Sequence, residues 1–357
     1  MLDKDIDLNG KTVLVTGAAG FIGANLSCIL LQKFYNITIL GFDNMNDYYE
    51  ISLKEYRLKQ IEKVQKNLGN KFVFIKGNLA EKELIKSIFM EYEPDIVVNL
   101  AAQAGVRYSI NNPDAYIEAN VIGFYNILEA CRHSYDCGKA GVEHLIYASS
   151  SSVYGSNEKI PYSTDDKTDE PVSLYAATKK SNELFAHAYA KLYNIPTTGL
   201  RFFTVYGPAG RPDMAYFSFT NKLLNHENIQ IFNHGNCKRD FTYIDDIVKG
   251  MVQVMQRTPR LNKKGVRCKV YNIGNSHPEN LLDFLKILEE ELKKERVLPE
   301  DYDFEKYKEF VGMQPGDVET TYADVKEFEE DFGFRPVVDL RSGIREFASW
   351  YREYYLS

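Results

Sequence analysis

No stretch of the 357-residue chain approaches the ~18 uninterrupted apolar residues of a membrane-spanning helix, and the acidic, polar N-terminus lacks the apolar core of a secretory signal. A soluble, cytoplasmic protein with no membrane partner is expected. The five cysteines (Cys28, Cys131, Cys137, Cys237 and Cys268) are odd in number and nowhere spaced C-x-x-C. That excludes a disulfide framework or a zinc site of familiar spacing and suits free thiols in a reducing compartment, so no metal is expected. Basic residues are outnumbered, 43 against 50 acidic ones, for a net charge of −7. They are scattered rather than gathered into a stripe, which argues against nucleic acid as a partner. Repeats and low-complexity tracts are absent.

What is present begins with Lys-Thr-Val-Leu-Val-Thr-Gly-Ala-Ala-Gly-Phe-Ile-Gly at 11–23, a short β-branched run that ends in three glycines and enters a helical pattern at 24–34. Gly17 permits a tight turn, Gly20 lets the backbone approach a pyrophosphate, and Gly23 lets the helix pack on the strand, with phosphate at the helix N-terminus. The spacing G-x-x-G-x-x-G departs by one residue from the commoner dinucleotide fingerprint, and three glycines alone could mark only a sharp turn. A second strand-like run at 37–42 ends in Asp43, 20 residues after Gly23, where an acid binds the adenosine ribose diol. Its charge would repel a 2′-phosphate, so the expected cofactor is NAD rather than NADP.

Further strand-like runs at 72–75, 96–100, 144–148 and 197–202 alternate with amphipathic helical segments. The pattern predicts an α/β fold, a Rossmann-type doubly wound parallel sheet with a smaller, interleaved C-terminal α+β substrate domain. We expect an NAD-binding domain over 1–205, with return segments near 241–257 and 269–276, and a substrate domain over the remainder of 206–357. The segment 54–67, dense in Lys, Glu and Gln, reads as a surface helix with a solvated charged face.

Tyr175 and Lys179, in Ser-Leu-Tyr-Ala-Ala-Thr-Lys-Lys, lie four apart and so share one face of a helix. An ammonium beside a phenol favours the phenolate and readies it as a general base for a sugar alcohol. A core tyrosine beside a solvated lysine would give the same spacing.

Taken with Asn-Leu-Ala-Ala-Gln-Ala-Gly-Val-Arg (99–107), Ser-Ser-Ser-Ser-Val-Tyr-Gly (149–155), Arg-Phe-Phe-Thr-Val-Tyr-Gly-Pro (201–208) and Arg-Asp-Phe-Thr-Tyr (239–243), these motifs resemble the extended short-chain dehydrogenase/reductase family over nearly the whole chain. Within it they look like nucleotide-sugar 4-epimerases. Asp-Asn-Met-Asn-Asp-Tyr-Tyr (43–49), Gly-Arg-Pro-Asp-Met-Ala (210–215) and Gln-Pro-Gly-Asp-Val (314–318) narrow the resemblance to UDP-glucuronate 4-epimerases.

The resemblance implies that Tyr175 removes the 4-hydroxyl proton, that Lys179 holds the cofactor ribose and lowers the tyrosine pKa, and that Ser150 is their hydroxyl partner. It implies cofactor contacts from Gly17, Gly20, Phe21, Ile22, Gly23, Asp43, Asn44, Asn78, Leu79, Leu100, Ala101, Ala102, Gln103 and Asn120. Asn78 stands where the family often has Asp, keeping an acceptor for the adenine amino group but not the charge. Substrate contacts are implied for Ser150, Ser151, Ser152, Thr204, Arg211, Arg239 and Asp317, with Arg239 on the diphosphate and Asp317 near the uridine ribose. Thr204 and Arg211 are the expected holders of a uronate carboxylate, although Arg211 could equally be a loop-anchoring ion pair. Ala209 replaces the usual Trp and is expected to loosen that loop. The resemblance further implies a UDP-sugar substrate, a tightly bound NAD regenerated each turnover, and a homodimer.

The positions after Ser150 hold serines where dehydratases carry acids and decarboxylases commonly carry Glu, which favours epimerisation. A 4-epimerase of UDP-glucose or UDP-galactose, or of their N-acetyl forms, is the alternative, and a UDP-glucuronate decarboxylase a more distant one. A catalytically idle dinucleotide-binding regulator would share the fold but has no need of Ser150, Tyr175 and Lys179 together.

Overall fold

The computed structural model describes residues 2–65, 69–138, 140–313 and 318–356. Seven strands form one parallel sheet: β1 (Thr12–Thr16), β2 (Thr38–Asp43), β3 (Lys71–Lys76), β4 (Ile96–Asn99), β5 (His144–Ser150), β6 (Thr197–Phe202) and β7 (Cys268–Ile273). Their spatial order is β7-β6-β5-β4-β1-β2-β3, the doubly wound order whose direction reverses between β1 and β4. Successive residues feed opposite faces, as a strand requires. Val13 and Val15 join the hydrophobic cluster on one side of the sheet, and Leu14 joins the cluster on the other. Covering helices on both faces explain why these strands read as continuous apolar runs.

Beyond β6, Thr204–Tyr206 leaves the sheet and pairs in parallel with Phe241–Tyr243. Pro278–Asn280 completes a second, three-stranded sheet from the other side of Lys238–Tyr243. The chain crosses back twice. Helix Ile244–Met255 packs on helix Phe21–Lys33, and β7 adds to the sheet edge beside β6. One hydrophobic cluster runs without a break from Val13 and Leu200 to Phe241, Phe284 and Phe347, so the two lobes share a core.

The segment expected to show a solvated charged face is a helix over Ile51–Val64, and the expectation holds for the exposed Glu55, Lys59, Glu62 and Lys63 but not for two residues nearer its start. Lys54 and Arg57 point inward and are buried. Both find polar partners inside, which periodicity alone cannot reveal. Among the described residues no helix is long and apolar enough to cross a membrane.

Candidate active site

The carboxyl ends of β1, β2, β4, β5 and β6 open on one cavity of about 890 Å³, at the crevice where the sheet order reverses. At its floor Gly17 adopts φ +72°, and a Cβ there would lie 2.8 Å from the Ala101 backbone nitrogen. Only glycine fits the turn and the close approach together. A Cβ on Gly23 would stand 2.2 Å from the Gly17 carbonyl oxygen, so that glycine lets the helix seat on the turn. Gly20 caps the helix without a side-chain bond. The first-turn residues Phe21, Ile22 and Gly23 line the cavity with backbone N–H groups of the kind that receive phosphate.

Asp43 ends β2, 7% exposed. Its Oδ2 accepts the Ala19 N–H at 3.2 Å and its Oδ1 the Met45 N–H at 2.9 Å, which leaves lone pairs for a diol. Asn44 is exposed beside it, and both line the cavity. Asn78 and Leu79 follow β3 at the far wall. Asn78 is engaged locally: its amide donates to Glu118 Oε1 at 2.8 Å and its Oδ1 accepts the Ala80 N–H at 3.0 Å. Leu100, Ala101, Ala102 and Gln103 follow β4 along the cavity. Asn120 clamps this segment, accepting from Gln103 N–H at 2.8 Å and donating to the Gln103 carbonyl at 3.0 Å and to Thr178 Oγ1 at 3.1 Å. It does so from a π-helical turn over Ile117–Ile122, a local widening that often marks functional positions.

Tyr175 and Lys179 stand in helix Leu174–Tyr193, whose N-cap Ser173 accepts the Ala176 N–H at 3.1 Å. Ser149 and Ser150 end β5 and face opposite ways by strand alternation, while Ser151 and Ser152 begin a 3-10 turn. Ser149 turns inward and donates to Glu183 Oε1 at 2.7 Å, in a buried pair with Arg201. Ser150 lies on the cavity side. Its Oγ donates to Ser152 Oγ at 3.0 Å and accepts the Ser152 N–H at 3.1 Å.

The electrostatics differ from the expected tyrosine–lysine pairing. Burial lowers Lys179 to about 8, and its Nζ donates to the Ala148 carbonyl at 2.9 Å. Burial likewise raises the Tyr175 phenol, while Ser150 and the charge of Arg211 work in the opposite direction. The groups that favour the phenolate here are Ser150 and Arg211, because Lys179 spends its ammonium on a backbone carbonyl.

On the substrate side, Thr204 and Arg239 line the cavity. Arg239 Nη1 is held by the Lys238 and Glu319 carbonyls at 2.9 and 3.0 Å. Asp317 lies outside the described residues. Arg211 also lines the cavity but has a partner already: Nε and Nη2 fork onto Asp213 at 3.0 and 2.5 Å. Against the upward push of burial, this cation pulls the Asp213 carboxyl below its usual range. In the same loop the Ala209 carbonyl takes a hydrogen bond from Arg57.

Sequence reasoning passed over several lining residues: Tyr48, whose hydroxyl donates to Asp213 Oδ2 at 3.1 Å; Lys54, whose Nζ donates to Asn46; Arg107, stacked on Phe232; and Lys222. The Tyr-Tyr pair inside the 43–49 motif and the arginine that ends the 99–107 motif pointed toward Tyr48 and Arg107; nothing pointed toward the two lysines. The described lining carries the basic residues Lys54, Arg107, Lys179, Arg211, Lys222 and Arg239 against the acids Asp43 and Asp213. An anionic chain thus encloses a cationic cavity, which concentrates anionic ligands. Among the described residues, no group of three or more His, Cys, Asp or Glu is placed to hold a metal.

Comparison with known proteins places this geometry. A family model described as GDP-mannose 4,6 dehydratase matches residues 14–347. Protein CapI of Staphylococcus aureus is 47% identical over 354 residues, covering 96% of this chain and 99% of the relative. UDP-glucuronate 4-epimerase 4 of Arabidopsis thaliana is 43% identical over 357 residues, covering 97% and 76%. The crystal structure of the UDP-glucuronic acid 4-epimerase from Bacillus cereus, in complex with UDP-glucuronic acid and NAD, superposes with a TM-score of 0.80 at 31% identity, covering 96% of this chain and all of that one.

Proposed function

Because the chain belongs to the GDP-mannose 4,6-dehydratase family of short-chain dehydrogenases/reductases, we propose that it is an NAD-dependent 4-epimerase that interconverts UDP-glucuronate and UDP-galacturonate. The observation that carries the choice of reaction lies beside Ser150. A dehydratase needs an acid and a base next to the reacting carbon, yet Ser151 and Ser152 stand there, and Asp43 and Asp213 are the only carboxylates in the described cavity lining. Both are engaged elsewhere. With no group to eliminate the 6-substituent, a 4-keto sugar whose carboxylate is held out of alignment turns over and is reduced on its other face.

NAD suits the glycine cradle and Asp43, and when bound it supplies the hydride acceptor and donor for sugar carbon 4. Tyr175 takes the 4-hydroxyl proton and later returns it, and Ser150 hydrogen-bonds the same oxygen. Lys179 lies one turn along the same helix, where it holds the cofactor ribose. Gly17, Gly20, Phe21, Ile22, Gly23, Asn44, Asn78, Leu79, Leu100, Ala101, Ala102, Gln103 and Asn120 form the cofactor wall. Arg239 meets the diphosphate and Asp317 the uridine ribose, within the 206–357 lobe that we assign to the nucleotide sugar.

A uronate adds a hazard, since its carboxylate lies β to the transient ketone and leaves as carbon dioxide if its bond aligns with the carbonyl π system. Ser151, Ser152 and Thr204 can hold it by hydroxyls. Arg211 contributes only as far as Asp213 releases the guanidinium. Arg211→Ala should weaken UDP-glucuronate by ~1.5–3 kcal/mol, the range for a hydrogen bond to a charged group, and should raise the share of turnovers ending as UDP-4-keto-pentose with reduced cofactor retained. Asp213→Asn should do the reverse and increase the preference for UDP-glucuronate over UDP-glucose. Binding titrations and mass spectrometry of the products would check both. If neither variant alters uronate preference or pentose yield, Arg211 is a loop anchor.

Ile117, Ile122, Tyr125, Leu184, Phe185 and Leu192 expose apolar surface on adjacent helices, which supports a homodimer formed through that face. A cytoplasmic site is where UDP-sugars and free thiols coexist. The direct test of specificity is to denature purified protein, identify the released nucleotide, and compare turnover of UDP-glucuronate, UDP-glucose and UDP-N-acetylglucosamine. Equal or better use of the neutral sugars would shift the reading to the alternative epimerase.

A further inference from the structure

Arg57 is 1% exposed, and no carboxylate among the described residues pairs with it. Its donors go to neutral acceptors: Nε to the Ala209 carbonyl at 2.9 Å, Nη2 to the Gly210 carbonyl at 2.7 Å, and Nη1 to the Ala19 carbonyl at 3.1 Å and the Tyr49 hydroxyl at 2.6 Å. A buried cation without a counter-ion is costly and persists where it holds something in place. Here it holds two loops. Ala19 lies between Gly17 and Gly20 in the dinucleotide turn, while Ala209 and Gly210 lead directly into Arg211. The second loop needs holding, since Gly207 has φ +145° and Ala209 φ +50°, the latter a left-handed conformation disfavoured for a residue with a Cβ. Tyr48, from the segment just before the same helix, adds a second tie through its bond to Asp213.

We propose that Arg57 is a positioning residue that couples the two halves of the cavity, so that filling the glycine turn with a dinucleotide fixes the segment 207–213 and, with it, Arg211. The coupling rests on reading the cavity as a dinucleotide site, but not on which sugar is turned over. A lysine at 57 keeps the charge and cannot span the carbonyls of both loops, because an ammonium lacks the planar fork.

The test is amide hydrogen exchange, read by mass spectrometry on the full chain stripped of nucleotide and then reloaded with NAD alone. In the wild type, NAD should slow exchange at least threefold both at the glycine turn, residues 14–25, and at residues 207–214. In Arg57→Lys and Arg57→Gln, NAD should still protect 14–25 but no longer protect 207–214. A merely structural arginine would leave that NAD-linked difference intact. Protection of the glycine turn alone in the wild type, or equal protection of 207–214 in wild type and variants, overturns the coupling. If both variants fail to take up NAD, the wild-type response at 207–214 decides. Failure of the wild type to bind NAD would remove the cofactor reading as well as the coupling.

Discussion

Lys179 is 4% exposed and has one backbone carbonyl as partner, so its protonation is set by burial. An unfolded lysine holds its proton to about 10.5, whereas the folded one releases it near 8. Between those values the unfolded chain binds more protons, and raising the pH favours the fold. The penalty is fully present below about pH 8 and is relieved as pH climbs toward 10.5. Nucleotide-free wild type should therefore gain about 3 kcal/mol relative to Lys179→Met over that interval, at 1.36 kcal/mol per pKa unit. Urea denaturation at both pH values would measure it, and a constant difference would mean that Lys179 keeps its charge. Tyr175→Phe should lower turnover at least ~100-fold, the lower bound for general acid–base catalysis, while NAD stays bound. Turnover within tenfold of wild type would remove the phenol from the chemistry.

Individual elements differed in how far their sequence revealed them. The strand, glycine turn and acid from Thr12 to Asp43 were legible because each rests on local backbone demands, a β-branched run, a turn at positive φ and a strand terminus. Helix Ile51–Val64 was read rightly on its exposed side and misread at Lys54 and Arg57, which look like solvated charge until Asn46 is folded against the lysine and the Ala209 and Gly210 carbonyls against the arginine. At Arg211 the sequence left a carboxylate clamp and a loop-anchoring ion pair both open, and the fork onto Asp213 depends on backbone geometry that Arg-Pro-Asp alone does not spell out. The π-turn at Asn120 leaves no mark in residue type at all. At this scale Asp43→Ala should weaken NAD and narrow its advantage over NADP, since the carboxylate both braces the Ala19 N–H and repels a 2′-phosphate. Unchanged affinity and preference in a titration would place the ribose elsewhere.

The whole molecule sets a net charge of −7 around a cavity whose charged lining residues, among those described, are mostly basic. It leaves apolar side chains exposed on helices Gly123–His133 and Leu174–Tyr193. Leu184→Glu combined with Phe185→Glu should give a monomer by sedimentation if that face joins two copies, and an unchanged mass would send the interface elsewhere. The sheet order and the shared core follow from patterns spread along the chain, so the doubly wound architecture was visible in sequence. The interleaved lobe was harder to read, because its strands are short and pair with segments far away in the chain. The central claim, hydride removed from carbon 4 and returned to the same carbon within one closed site, is tested by incubating the enzyme with UDP-glucuronate deuterated at carbon 4 in ordinary water and examining the product by NMR. The account predicts UDP-galacturonate that keeps its deuterium at carbon 4. UDP-galacturonate carrying solvent hydrogen at that carbon, or a decarboxylated or dehydrated product in its place, would contradict it.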